Sequence, residues 1–478
     1  MITFVSGSEA QPSVGNRRSL KVVDSVLDLI GDTPMVRLKR ISKGLKPEIL
    51  AKLELFNPGG SVKDRVGKMM IEAAEKQGLI KPGYTVVEPT SGNTGVGLAL
   101  SAVLKGYRVV FTMPDKMSRD KIDLLKAYGA RVVVTPTSVP PDHPANYIRV
   151  AERIVKELGA AYMPNQYTNP ANPMAHYMST GPEIWEQTGG RLDVLVAGMG
   201  TGGTISGVGK YLKEKNPSVR VVGVDPEGSI LRHLFYHTKG EAHTYKVEGI
   251  GEDFLPSTLD FSVVDEVITV GDRDAFLTAR RLALEEGILA GGSSGAAVYA
   301  ALKVAEELGE DKRIVVILPD TGRNYLNKLY SDEWMIANGF LEGGGEAIPV
   351  RDILNAKPKR ISGVLSVDAG DPLAKALQIM REHGVSQLPV MSGDVHVGSV
   401  SERGLMGRLS GGGVSLNSRV SEVMDPPLPQ IPLESTIVNP LVVLGERGAA
   451  LVVEGGRVVD IITFSDVLGY YLSRGAGA

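Results

Sequence analysis

The 478-residue chain contains no cysteine. That absence excludes disulfides, cysteine nucleophiles, thiolate metal sites and iron–sulfur clusters, and it accords with a reducing compartment. No charge of one sign dominates either: 52 Lys and Arg against 55 Asp and Glu leave a net charge of -3, with no basic tail and no acidic block. Such a balance exerts no general pull toward nucleic acid or anionic membrane. No apolar run approaches a membrane span, and the first twenty residues, though they hold Arg17 and Arg18, lack a signal-peptide core. The expectation is a cytoplasmic protein with neither a nucleic-acid nor a membrane partner. Histidine is scarce as well. The seven are His143, His176, His233, His237, His243, His383 and His396; no HExxH pattern occurs, and only His233 and His237 share i, i+4 spacing, with no acid in step. No metal site is expected.

What is present is ordinary globular composition, 43% hydrophobic and 22% charged, over a length that suggests roughly three domains. From residue 24 onward, short valine-rich runs alternate with longer helical patterns. Strands are predicted at 48–54, 85–88, 108–113, 131–135, 193–197, 220–225 and 313–318. Helices are predicted at 62–77, 95–105, 118–128, 145–158, 204–215, 272–286 and 294–308. This alternation specifies an α/β fold with mainly parallel sheets, in which ligands collect at loops leaving the carboxyl ends of strands.

The stretch Asn57-Pro-Gly-Gly-Ser-Val-Lys-Asp-Arg65 breaks one strand and opens one helix, with Ser61 as the expected N-cap. Lys63 then falls in the first helical turn, where the helix dipole repels a cation. A neutral or imine-linked lysine is not repelled; a solvated lysine beside Asp64 is the plain alternative. Three glycine-rich loops also open helices: Glu88-Pro-Thr-Ser-Gly-Asn-Thr-Gly95, Gly198-Met-Gly-Thr-Gly-Gly-Thr204 and Gly291-Gly-Ser-Ser-Gly295. Small residues there let backbone amides crowd onto an anion at the helix start. Gly198, Gly200 and Gly203 also satisfy a dinucleotide fingerprint, with Asp225 placed as a ribose acid. That nicotinamide reading leaves the stretch 57–65 and the loop 90–95 unexplained.

Around 341–346 the composition becomes that of a flexible connector, Leu-Glu-Gly-Gly-Gly-Glu. Beyond it the chain repeats itself: 390–405 aligns without a gap on 452–467, each unit a strand, a turn, a strand and a helix. A unit of that size cannot bury its own face, so two are expected to pack together.

Taken together, Lys63 in its Gly-Gly-Ser-Val-Lys-Asp-Arg setting, Thr90-Ser-Gly-Asn-Thr-Gly95, Gly200-Thr-Gly-Gly-Thr204 and Gly292-Ser-Ser-Gly295 resemble the β-replacement enzymes of the fold type II pyridoxal-phosphate family. The C-terminal repeat resembles a pair of CBS domains, a Bateman module. That appended pair, with Glu248-Gly-Ile-Gly-Glu-Asp253, is similar to the cystathionine β-synthases. The resemblance implies a tryptophan synthase β-like catalytic core and this division: an N-terminal extension over 1–20, a catalytic domain over 21–340, a linker over 341–350, and CBS domains over 351–410 and 416–474.

The resemblance also implies roles. Lys63 would hold pyridoxal 5'-phosphate as a Schiff base and shuttle the α-proton. Gly200, Thr201, Gly202, Gly203 and Thr204 would cradle its phosphate, Asn93 would bond its 3'-oxygen, and Ser293 would face its pyridine nitrogen. Thr90, Ser91, Thr94 and Gln166 would grip the substrate carboxylate, and Glu252 the ammonium of a second substrate. The implied reaction joins serine and homocysteine to give cystathionine; a cysteine synthase using O-acetylserine or O-phosphoserine and sulfide shares the same cofactor motifs. S-Adenosylmethionine is the implied allosteric ligand, at Ser386, Gln387, Thr463 and Asp466. The first repeat has Gly404 where the second has Asp466, which implies one such site rather than two. Haem is not expected, since the family's animal members bind it through an N-terminal cysteine and histidine. A homodimer or homotetramer is expected.

Overall fold

The computed structural model describes residues 22–475 apart from 91, 116, 118, 137–138, 140–142, 343–346, 358–363, 394, 411–413, 438–439 and 446. The chain divides into two compact units between Leu326 and Asn327.

The first unit holds two sheets. One has the order β1 (Met35–Arg37), β2 (Glu48–Leu53), β10 (Arg313–Leu318), β7 (Val194–Gly198), β8 (Arg220–Pro226), β9 (Glu266–Val270), all parallel except β1. The other runs β5 (Arg131–Thr135), β4 (Arg108–Pro114), β3 (Thr85–Pro89), β6 (Ala161–Tyr162), entirely parallel. Its helices are α1 (Lys63–Lys76), α2 (Asn93–Leu104), α3 (Arg119–Ala127), α4 (Tyr147–Leu158), α5 (Ala171–Ala175), α6 (Gly181–Gln187), α7 (Gly203–Lys215), α8 (Leu231–Phe235), α9 (Asp272–Glu286) and α10 (Gly292–Glu306). A π-helical turn, His176–Thr180, joins α5 to α6.

Seven strands and seven helices stand where the sequence predicts them, with ends shifted by up to two residues. The reason is plain in β10, whose Ile314 to Leu318 are all buried: a strand covered on both faces is a continuous apolar run. β1 and β6, of three and two residues, are too short to show any periodicity. One core joins α1, α2 and α3 to β3 and β4 through residues such as Met70, Leu98, Phe111 and Leu125. A second joins α6 and α7 to β7 and β8 through Ile184, Leu195, Ile205 and Val221.

The second unit contains α11 (Asp332–Ala337), β11 (Ile348–Pro349), α12 (Val350–Asn355), β12 (Val367–Asp368), α13 (Leu373–His383), β13 (Gln387–Ser392), β14 (Val395–Ser401) and α14 (Glu402–Ser410). It continues with α15 (Val420–Val423), β15 (Gln430–Pro432), β16 (Thr436–Ile437), α16 (Pro440–Leu444), β17 (Ala449–Glu454), β18 (Arg457–Thr463) and α17 (Phe464–Gly475). The repeat is kept pair for pair. Gln387 opposes Ser401 as Ala449 opposes Thr463, and each hairpin shifts register at the same place, after Val390 and after Val452. β11 pairs with β16, and α12 packs with Ala450, Val452 and Ile462. The segment preceding the first repeat therefore completes the core of the second. Among the described residues no helix is long and apolar enough to cross a membrane.

Candidate active site

Lys63 is the first residue of α1 and Asn93 the first of α2. Two glycines set these helix starts side by side. A Cβ on Gly97 would lie 2.2 Å from the Lys63 carbonyl oxygen, and one on Gly67 would lie 2.2 Å from the Gly97 carbonyl carbon. Only bare backbones approach that closely. Upstream, the Gly60 N–H donates to the Asn57 carbonyl at 2.8 Å, and Gly60 sits at φ +83°, the conformation that favours glycine. The N-cap position is Val62 rather than Ser61, yet the Ser61 hydroxyl oxygen still accepts the Lys63 N–H at 3.2 Å.

Burial pulls the Lys63 ammonium down from its ordinary 10.5 to about 8, against the attraction of Glu252 and Asp320. The residue as a whole is only partly buried; the desolvation acts on the amine, which is what governs its proton affinity. Burial pushes Glu252 up to about 8, helped by Asp253 and opposed by Lys63. Glu252 in turn raises Tyr147, Tyr167 and Tyr245, each already raised by burial. Asp320 lies just beyond β10 and was not singled out by sequence, although it occupies a loop leaving the carboxyl end of a strand, where ligands gather. It is 1% exposed and accepts from Asn93 Nδ2 at 2.8 Å and from the Tyr325 hydroxyl at 2.6 Å.

The loop 200–204 opens α7. The N–H groups of Gly200, Thr201, Gly202, Gly203 and Thr204 donate to no protein acceptor among the described residues. Gly202 is left-handed at φ +81°, and a Cβ on Gly203 would sit 2.0 Å from Asn172 Oδ1. Asn172 Nδ2 donates to the Gln166 carbonyl at 2.8 Å and to Thr201 Oγ1 at 3.0 Å. His176 pairs through Nε2 with Thr204 Oγ1 at 3.2 Å, and burial, then Arg65, hold its imidazole down at about 3. The segment carrying Glu252 is pinned here as well, the Gly251 N–H donating to the Met199 carbonyl at 2.6 Å.

Thr94 Oγ1 donates to Gln166 Oε1 at 2.5 Å, so these two predicted residues meet. Thr90 Oγ1 accepts the N–H groups of Gly92 and Gly95, at 3.2 and 3.1 Å, and so holds its own loop in shape. Ser91 lies outside the described residues. Ser293, in the first turn of α10, is 2% exposed. Glu88, at the end of β3, accepts the N–H groups of Asn165 and Gln166 and thereby positions Gln166; burial raises it to about 7. Glu88, Asn172, His176 and Asp320 escaped the sequence reading because a single buried polar residue carries no pattern; only Asn172 and His176, four apart across a helical turn, left a spacing to notice.

In the second unit, Asp466 Oδ2 accepts both the N–H and the hydroxyl of Thr463 at 2.7 Å. Lys357 Nζ donates to Asp460 Oδ1 at 2.8 Å and stands 3.8 Å from Asp466. Ser386 and Gln387 lie at the start of the first repeat's hairpin, and no hydrogen bond among the described residues joins them to Thr463 or Asp466. A cavity of about 520 Å³ is lined by Pro226, Ser229, Arg232, His233, His243 and Thr269, among others. Its lining includes neither Lys63 nor any residue of the loops 90–95 and 200–204.

Against known proteins, residues 26–320 match the family described as pyridoxal-phosphate dependent enzyme, and 350–411 and 420–473 match the CBS domain. The chain is 44% identical to a cystathionine beta-synthase of Oryctolagus cuniculus, covering 96% of this chain and 86% of that protein. It is 41% identical to one of Dictyostelium discoideum, covering 94% and 93%. The solved O-acetylserine dependent cystathionine beta-synthase of Helicobacter pylori superposes with a TM-score of 0.60 at 39% identity, over 65% of this chain and 99% of that one. With its amine-bearing helix, its open amide loop and its paired repeats, the chain belongs to the cystathionine β-synthase family of pyridoxal-phosphate-dependent enzymes.

Proposed function

We propose that the chain condenses L-serine with L-homocysteine to L-cystathionine and water, a β-replacement, with Lys63 as the residue that holds the cofactor and moves the α-proton. The observation that carries this is a desolvated lysine, down at about 8, in the same compact unit as a helix start whose five loop amides have no protein acceptor among the described residues. These residues fit pyridoxal phosphate. The amides of 200–204 at the positive end of α7 suit a phosphate, with Thr201 and Thr204 adding hydroxyls. The Asn93 amide suits the 3'-oxygen, and the buried Ser293 hydroxyl offers the pyridine nitrogen a neutral partner. Bound there, the cofactor supplies the electron sink that acidifies the substrate α-carbon and lets the β-substituent leave.

The protein's own groups do the rest. Lys63, with its proton affinity lowered by burial, takes the α-proton and later returns it. Thr90, Thr94 and Gln166, with Ser91 in the same loop, hold the first substrate's carboxylate. Glu252 receives the second substrate's ammonium; the approach of that cation draws its raised carboxyl into the ionised form. Ser386, Gln387, Thr463 and Asp466 take S-adenosylmethionine as a regulatory or stabilising ligand. A homodimer or homotetramer, a cytoplasmic location and the absence of haem go with this reading.

The Helicobacter pylori relative, named for O-acetylserine dependence, favours a second reading for the first substrate. Product analysis decides: serine plus homocysteine is expected to yield cystathionine. Cysteine as sole product, from O-acetylserine or O-phosphoserine plus sulfide, overturns the first reading. S-Adenosylmethionine is expected to raise the melting temperature or the rate, and an unchanged value of both removes the regulatory role.

A further inference from the structure

Asp320 is fastened on every side. The Val62 N–H donates to the Pro319 carbonyl at 2.8 Å, the Thr321 N–H to the Gly60 carbonyl at 3.0 Å, and the Gly291 N–H to the Asp320 carbonyl at 3.1 Å. Its backbone thus sits between the loop that delivers Lys63 and the loop that opens the helix of Ser293. A Cβ on Gly291 would lie 2.1 Å from Asp320 Oδ1, so the absent side chain there is what admits the carboxylate. Oδ2 takes two hydrogen bonds, from Asn93 and Tyr325, while Oδ1 is buried with no partner among the described residues. An acid this constrained is an expensive feature of a fold, and hydrogen bonding satisfies only half of it.

Three of the groups Asp320 faces bear on the reaction. The Asn93 amide nitrogen gives one N–H to Asp320, which fixes its rotation and leaves the second N–H aimed by that constraint. Glu252 and then Asp320 are the two acids whose charge opposes the fall that burial imposes on the Lys63 amine. Tyr325, 4% exposed, holds the carboxylate from behind, with the Lys121 ammonium 5.2 Å from its ring centroid and paired to Glu248. Lys121 and Glu248 also act on Asp320, in opposite directions, and burial raises it overall.

We propose that Asp320 is a positioning residue of the reactive centre, which fixes the Asn93 amide and serves as the buried counter-charge to the Lys63 ammonium. The proposal rests on Lys63 being the cofactor-bearing amine. It gives the protein a means of keeping a desolvated lysine protonatable, as a proton shuttle requires, without a direct hydrogen bond that would block its approach to substrate.

The test uses the full chain freed of cofactor, and follows acetylation of Lys63 by acetic anhydride against pH with peptide mass spectrometry. The unaltered protein is expected to show a midpoint near 8. Asp320→Asn keeps the shape and removes the charge, so its midpoint falls, by on the order of one pH unit. Tyr325→Phe removes a donor that holds the Asp320 carboxyl down, so the acid is less ionised and the midpoint falls here too, by less than in Asp320→Asn. A merely structural loosening readmits water to the amine and moves the midpoint the other way, up toward the ordinary 10.5. An unmoved or raised midpoint in Asp320→Asn overturns the proposal. If Asp320→Asn does not fold, Tyr325→Phe decides: a fall supports the proposal, and no change or a rise overturns it. Borohydride reduction of the unaltered chain with pyridoxal phosphate separates the two levels. Label absent from Lys63 defeats the cofactor reading itself, whereas label on Lys63 with unmoved midpoints defeats only the role of Asp320.

Discussion

Lys63 and Arg65 stand two residues apart at the start of α1, and the fold treats the two cations in opposite ways. Arg65 is fully engaged: its guanidinium donates to Glu54 at 2.7 and 2.8 Å, to Glu183 at 2.5 and 2.7 Å and to Ser179 at 3.0 Å. Lys52 completes the knot on Glu183 at 2.6 Å. Burial would push Glu54 up, but Arg65 overrides it and holds the carboxyl at about 2, while Arg65 itself is held well above its ordinary value. Lys63 has no hydrogen-bonded acid among the described residues and drops to about 8. A buried cation matched by carboxylates stays charged and holds helices together; one left with acids at a distance becomes a group that can exchange a proton.

The strongest way to break this contrast is Lys63→Ala. Turnover is expected to fall by roughly three orders of magnitude or more, with little change in the melting temperature of the cofactor-free chain, because no hydrogen-bonded ion pair of Lys63 among the described residues is lost. Near-normal turnover returns Lys63 to the status of an ordinary helix lysine. Arg65→Met tests the other side. It strands Glu54 and leaves Glu183 to Lys52 alone, so stability falls by about 3–5 kcal/mol in denaturant titration. A loss well below that says the knot is redundant.

Gly97→Ala probes the helix crossing that both residues depend on. Its methyl meets the Lys63 carbonyl, and a cost of about 1–3 kcal/mol is expected, together with weakened binding of pyridoxal phosphate by absorbance titration. The mildest change sharpens the comparison at the residue between them. Asp64 accepts the Gly59 N–H at 2.5 Å with one oxygen and leaves the other without a partner among the described residues, and burial raises it to about 7. The stability from a raised carboxyl is complete below its unfolded value of 3.8 and is lost as pH rises through 7. Asp64→Asn is therefore expected to flatten the decline of melting temperature between about pH 4 and 7; an unchanged slope means that Asp64 is ionised throughout.

The two repeats of the second unit teach a related lesson. Their hairpins agree in register and bulge, so a shift of one sequence onto the other foretold matching backbones. Their side chains diverge where a ligand would be held. Asp466 engages Thr463, whereas Gly404 only donates its N–H to Ser401 Oγ at 3.2 Å. That α12 would close the core of the second repeat was not legible, because such a crossing depends on which apolar face finds which partner rather than on local pattern.

Within the first unit, glycine-rich loops were legible because an open amide nest tolerates few residue types, and the buried parallel strands because they are continuous runs of Val, Ile and Leu. Four separate loops with Lys63, Asn93, Thr201 and Ser293 in order therefore announced the cofactor and the family. Two of the acids, Glu88 and Asp320, did not announce themselves, and Glu252 was expected only through the resemblance. Glu88, Glu252 and Asp320 are raised carboxyls whose character comes from burial and from neighbours far along the chain, 227 residues away in the case of Asp320 and Asn93. The sequence by itself determined which groups are present and which helix starts carry them. The tertiary structure decided which of two neighbouring cations would be neutralised and which left reactive, because desolvation and long-range charge are properties of packing.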